Sequence, residues 1–120
     1  MELKRVIELD DRFGKQYKGK YVFSGISWGI SNRIGAECTK INPVTRQSIV
    51  NLKELQARLL IATLIEKPKI ITLEHLLDET SNGLPLALGE LLMMFADSVN
   101  GYSAKDREEI KKLKQRCHLE

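Results

Sequence analysis

Two apolar patterns with a helical period, one over Leu52–Ile65 and one over Leu84–Val99, constrain most strongly what this chain can fold into. In the first, Leu52, Leu55, Leu59, Ala62 and Ile65 form one stripe that Leu60 and Leu64 widen, while Lys53, Glu54, Gln56 and Arg58 cover the opposite side of its first half. Towards its end the pattern is apolar nearly all round, which places this segment centrally in a core. Pro68 disfavours helical geometry in the residue before it, so the pattern predicts a central helix from about Asn51 to Lys67. In the second pattern Leu84, Leu88, Leu91, Phe95 and Val99 read as a bundle-like seam. Pro85 suits its first turn and Asn100-Gly101 its stop. The break at Pro68–Leu73 would let the two helices fold back on each other.

Thr72 is placed to cap a short helix through Leu73, Leu76 and Leu77, and Thr80–Gly83 reads as a loop. Upstream, Tyr21, Val22 and Phe23 suit a half-buried strand, and Gly14 and Gly19 among lysines suit a turn before it. A hairpin pairing about Leu3–Leu9 with Tyr21–Gly25 follows, and because two strands alone are marginal in water it has to pack on the helices. Ser27–Lys40 fits two periods. Val22, Ile26, Trp28 and Ile30 alternate as on a strand, whereas Ile30, Ile34 and Cys38 recur every fourth residue as on a helix. A helix capped by Ser27 is the favoured reading, with Gly29 and Gly35 open to close approach by another backbone and Asn42-Pro43 ending it. Beyond Gly101, Ser103 and Asp106 form a variant capping box, and Ile110, Leu113 and Cys117 mark the thin stripe of a peripheral helix. The expected fold is mainly α within an α+β class: a small helical bundle with an N-terminal β-hairpin or extended arm over residues 1–25.

At 120 residues the chain fits one domain, taken as residues 1–118. Leu119-Glu120 resembles the pair left by a common cloning site ahead of a histidine tag. A formal charge of +3, with acids interleaved among the bases, is weak beside the clustered excess of a nucleic-acid footprint, so nucleic acid is a disfavoured partner. Cys38 and Cys117 are too few and too far apart for a structural zinc site, and His75 and His118 do not complete one. No metal or cofactor is expected. The apolar run at Leu59–Ile65 is far shorter than the ~20 residues a bilayer needs, and the charged opening Met1–Arg5 does not read as a secretion signal. A cytoplasmic, non-membrane protein is the expectation.

Asp10-Asp11 and Asp78-Glu79 are carboxylate pairs beside predicted turns, where solvated caps account for them without acid–base chemistry. Neither a nucleophile elbow nor a phosphate-binding glycine loop is present, so no catalytic residue is assigned. Leu91-Leu92-Met93-Met94-Phe95 raises a different possibility. Adjacent helix positions point about 100° apart, so these five side chains cannot all face one seam. Leu92, Met93 and Met94 are therefore the candidate partner-binding residues, for a second copy or another protein.

The order of segments resembles bacteriophage tail assembly chaperones and related small tail accessory proteins. The resembling parts are Ser27-Trp28-Gly29-Ile30-Ser31-Asn32-Arg33-Ile34 after a short extended segment, Leu84-Pro85-Leu86-Ala87-Leu88-Gly89-Glu90-Leu91-Leu92, and Val99-Asn100-Gly101-Tyr102-Ser103 ahead of a charged end. The resemblance implies a mostly helical, non-enzymatic protein that keeps the hydrophobic tape measure protein soluble while the tail tube grows. The basic N-terminal segment departs from that pattern, which keeps a structural tail or head-completion component as an alternative. A small DNA-binding regulator, contacting phosphates through Ser27–Lys40 or the lysine-rich end, is the other.

Overall fold

A computed structural model describes residues 4–101 of the chain. Strand β1 (Lys4–Leu9) leads through two short 3-10 turns to strand β2 (Gly19–Ser24) and then helix α1 (Trp28–Glu37). Two short strands, β3 (Thr39–Ile41) and β4 (Ser48–Val50), precede helix α2 (Leu52–Thr63), which runs without a loop into strand β5 (Leu64–Glu66). Helices α3 (Leu73–Leu77) and α4 (Leu86–Val99) complete the described fold. Of the described residues 48% are helical and 21% lie in strands of two antiparallel sheets, so the fold is a mixed α+β domain and not the mainly helical bundle expected above. The predicted features at Ser103, Asp106, Ile110, Leu113 and Cys117 lie outside the described residues.

Three strands in the order β1-β2-β5 make the larger sheet. The predicted hairpin is its first half, with Ile7 opposite Tyr21 and Arg5 opposite Phe23. Opposed residues share a face, so Ile7, Tyr21, Phe23 and, from β5, Leu64 line the side that packs on the helices. The third strand corrects the predicted helix to Lys67: α2 ends at Thr63, and Leu64 and Glu66 pair with Phe23 and Val22 instead. The register shifts there, leaving Ile65 exposed as the residue of a bulge. The cap at the other end of α2 is local chemistry: Asn51 Oδ1 accepts the Glu54 N–H at 3.0 Å.

Ser27 caps α1 by accepting the Ile30 N–H and Ile34 is buried, with Cys38 buried at the C-cap, so the helical reading holds as far as Glu37; the helix ends short of Asn42-Pro43, because Thr39–Ile41 pair as strand β3. Its glycines receive no neighbouring backbone: a Cβ on Gly35 would meet nothing within 4 Å, and one on Gly29 only the Ser27 hydroxyl. Close approach occurs at Gly25, where a Cβ would lie 2.7 Å from the Val99 carbonyl oxygen. Beside it the Asn100 side chain closes a clasp. Its Oδ1 accepts the Ile26 N–H at 2.8 Å, and its Nδ2 donates to Thr63 Oγ1 at 3.3 Å. Thr63 is fully buried and its hydroxyl donates to the Leu59 carbonyl at 2.8 Å, so one short network joins the end of β2, the end of α2 and the end of α4.

The core gathers Tyr17, Tyr21, Phe23, Leu60, Leu64, Ile71, Leu88, Leu92, Ala96 and Val99. Tyr21 donates its hydroxyl to the Tyr17 carbonyl at 2.7 Å in a buried setting. Burial, and secondarily the neighbouring Tyr17 phenol, push the Tyr21 pKa up to about 12. A raised folded-state pKa means that the folded form holds its proton where the unfolded form has lost it. Stability is therefore full below pH 10, the ordinary tyrosine value, and should decline as pH rises from there towards 12, by about 1.4 kcal/mol per pH unit for one proton. Urea titrations on either side of that pH should show the decline, and Tyr21→Phe should flatten it.

Candidate functional site

The loop after α3 leads into the start of α4, which with α2 and Leu76 of α3 lines an open groove. Asp78 Oδ1 accepts the Thr80 N–H at 2.9 Å and the Thr80 hydroxyl at 2.7 Å, and these bonds hold the Asp78 carboxyl below its ordinary pKa. Gly83 N–H returns to the Thr80 carbonyl, and any Cβ at Gly83 would collide with the Asp78 carbonyl, so the chain turns tightly here. Leu84 and Pro85 emerge from this turn at the start of α4.

The groove has a volume of about 630 Å³. Ala57 and Leu60 of α2, Leu76 of α3, and Leu84, Gly89 and Met93 form its walls, with Leu86 and Met94 among its most exposed lining residues. Polar side chains occur at Lys53, Gln56 and Glu90, and Lys53 is paired with Glu79 at 3.2 Å. Among the described residues no cluster of His, Cys, Asp and Glu is placed to hold a metal ion.

The three candidate residues on α4 separate. Leu92 is 0% exposed and belongs to the core, Met93 is half-buried and lines the groove while packing on the core, and Met94 is 56% exposed on the groove wall. The seam is also rotated from the expected one: Leu88, Leu92, Ala96 and Val99 are buried, whereas Leu91 and Phe95 are only partly so. Phe95 still reaches Phe23, with ring centroids 5.7 Å apart. Sequence reasoning passed over Leu86, which is 78% exposed and lines the groove, although its spacing to Glu90, Met93 and Met94 marks the stripe next to the buried one.

A second, smaller pocket is lined by Lys69, Ile70, Thr72, Glu74, His75 and Asp78. His75 Nε2 and the Tyr17 hydroxyl share a 2.6 Å hydrogen bond at its edge, which ties α3 to the β1–β2 connection. Ser27–Lys40, considered above for phosphate contacts, holds two cations, Arg33 and Lys40, and Arg33 lies 3.9 Å from Glu37. No helix among the described residues is long and apolar enough to cross a membrane. No family model matches the chain, and neither a curated protein nor a solved structure matches it.

Proposed function

We propose that this protein is a non-enzymatic binding module whose α2–α4 groove receives an apolar helix of another protein, in the manner of a phage tail assembly chaperone holding the tape measure protein. The observation that carries this reading is the groove itself, an open channel with Leu60, Leu76, Leu84, Leu86, Met93 and Met94 among its lining residues. An amphipathic helix laid in such a channel presents side chains at i, i+3, i+4 and i+7, and burial of apolar area at roughly 25 cal/mol per Å² drives the association. Methionine on the wall supports it further, since its flexible thioether adapts to clients of varied shape. The resemblance at Leu84–Leu92 falls on the segment that begins this wall.

Co-expression with a phage tape measure protein tests the reading. The wild-type chain should keep that protein soluble, and Leu86→Gln combined with Met94→Gln should abolish the effect with the thermal midpoint unchanged, because both side chains already stand largely in solvent. Met93 is a poorer probe, being shared between the groove and the core. Solubilisation that survives the double substitution would refute the groove as the binding site.

A further inference from the structure

The β3–β4 ribbon stands apart from the core, and its register shows what each face offers. Thr39 opposes Val50, Lys40 opposes Ile49 and Ile41 opposes Ser48. Successive pairs point to opposite faces, so Ile41 and Val50 share one face while Ile49 and Lys40 share the other. Ile41 is 68% exposed, Ile49 61%, and Val44 in the connecting turn 88%. Among the described residues neither outer edge of the ribbon pairs with a third strand. Thr39, whose hydroxyl donates to the Gly35 carbonyl at 2.7 Å, anchors the ribbon to α1. A two-stranded ribbon so largely exposed is marginal by itself, and its open edges are a template for a further strand.

Charge selects the occupant. Residues 39–50 include Lys40 and Arg46 and no carboxylate. Arg46 is exposed at the corner of the turn, held in the left-handed region at φ 59° by its N–H bond to the Asn42 carbonyl. The nearby acid, Glu37, is already flanked by Arg33 and Arg58 at 3.9 and 3.4 Å. A second copy added here would bring like charges together, and a nucleic-acid backbone would meet the two cations but leave the aliphatic side chains against phosphate.

We propose that the β3–β4 ribbon docks an extended, acidic segment of a partner protein, added as a third strand with carboxylates on the Lys40 face and aliphatic side chains on the Ile41–Val50 face. Main-chain hydrogen bonds give such strand addition its affinity, and the alternating side chains give it specificity. This surface is separate from the α2–α4 groove, and neither reading depends on the other.

Amide NMR spectra of the full chain, titrated with a blocked peptide of alternating valine and glutamate, provide the test. Shifts should concentrate in residues 39–50, and a peptide with lysine for glutamate should bind about tenfold or more weakly, the ratio that corresponds to about 1.4 kcal/mol. Lys40→Glu with Arg46→Glu should invert that preference, and Ile41→Thr with Ile49→Thr should weaken binding several-fold with an unchanged thermal midpoint. An absence of shifts in the ribbon, an equal response to both peptides, or tighter binding of a short DNA duplex would overturn the proposal.

Discussion

Leu92→Ala is expected to lower the free energy of unfolding by ~2–5 kcal/mol, among the largest losses any single truncation in this chain should produce. Leu92 is 0% exposed and sits in a cluster with Tyr21, Phe23, Leu60 and Leu88, so the missing methyl groups leave a cavity as well as lost apolar burial. Met94→Ala, two residues on, should cost less than about 0.5 kcal/mol, because a side chain that is 56% exposed has little packing to lose. Urea denaturation of the pair measures the contrast directly. Similar losses at both positions would mean that α4 is rotated from the orientation described.

The second large effect is expected at the clasp. Gly25→Ala sets a methyl group 2.7 Å from the Val99 carbonyl oxygen, and that oxygen is backbone, so the end of α4 has to move away from β2. Overpacking of this kind costs about 1–3 kcal/mol. Movement there also pulls Asn100 from the Ile26 N–H, so Asn100→Ala should show a loss of comparable size by stranding that donor and one acceptor site on Thr63. Thermal melts of the two variants and their combination should give less than the sum, since both disrupt one contact region. Full additivity would show that the two act separately.

Most helix ends were legible in the sequence because caps are local. Ser27, Asn51 and Thr72 each accept a backbone N–H from the first turn of the helix they precede, and Asn100-Gly101 ends α4 with Gly101 at φ 89°. The N-terminal hairpin was legible for a similar reason, in the aromatic and β-branched residues of Tyr21–Phe23. Strand β5 was not. Leu64-Ile65-Glu66 continues the apolar helical pattern of α2, and the pairing with β2 that overrides it comes from more than 40 residues away in sequence. The short β3–β4 ribbon was hidden behind Asn42-Pro43, which reads equally as a simple helix break.

The groove was half legible. Leu91 to Phe95 announced more apolar surface than one seam can take up, but two overlapping stripes, one through Leu91 and Phe95 and one through Leu92 and Ala96, both include Leu88 and Val99. Which stripe faces the sheet is decided by fit against Tyr21 and Phe23 across the fold, and periodicity along one helix does not contain that information.

The direct passage from α2 into β5 leaves no hinge between the groove wall and the sheet. Thr63 ends the helix, Leu64 is already opposite Phe23, and the buried Thr63 hydroxyl ties the junction to the clasp. A strand alternates faces at every residue and a helix turns about 100° per residue, so one added residue here would send Leu64 to the wrong side of the sheet or swing Leu60 out of the core. The segment thus behaves as a rigid crank whose length is fixed even where its side chains are free to vary, and any motion of the groove wall has to be a motion of the sheet as well.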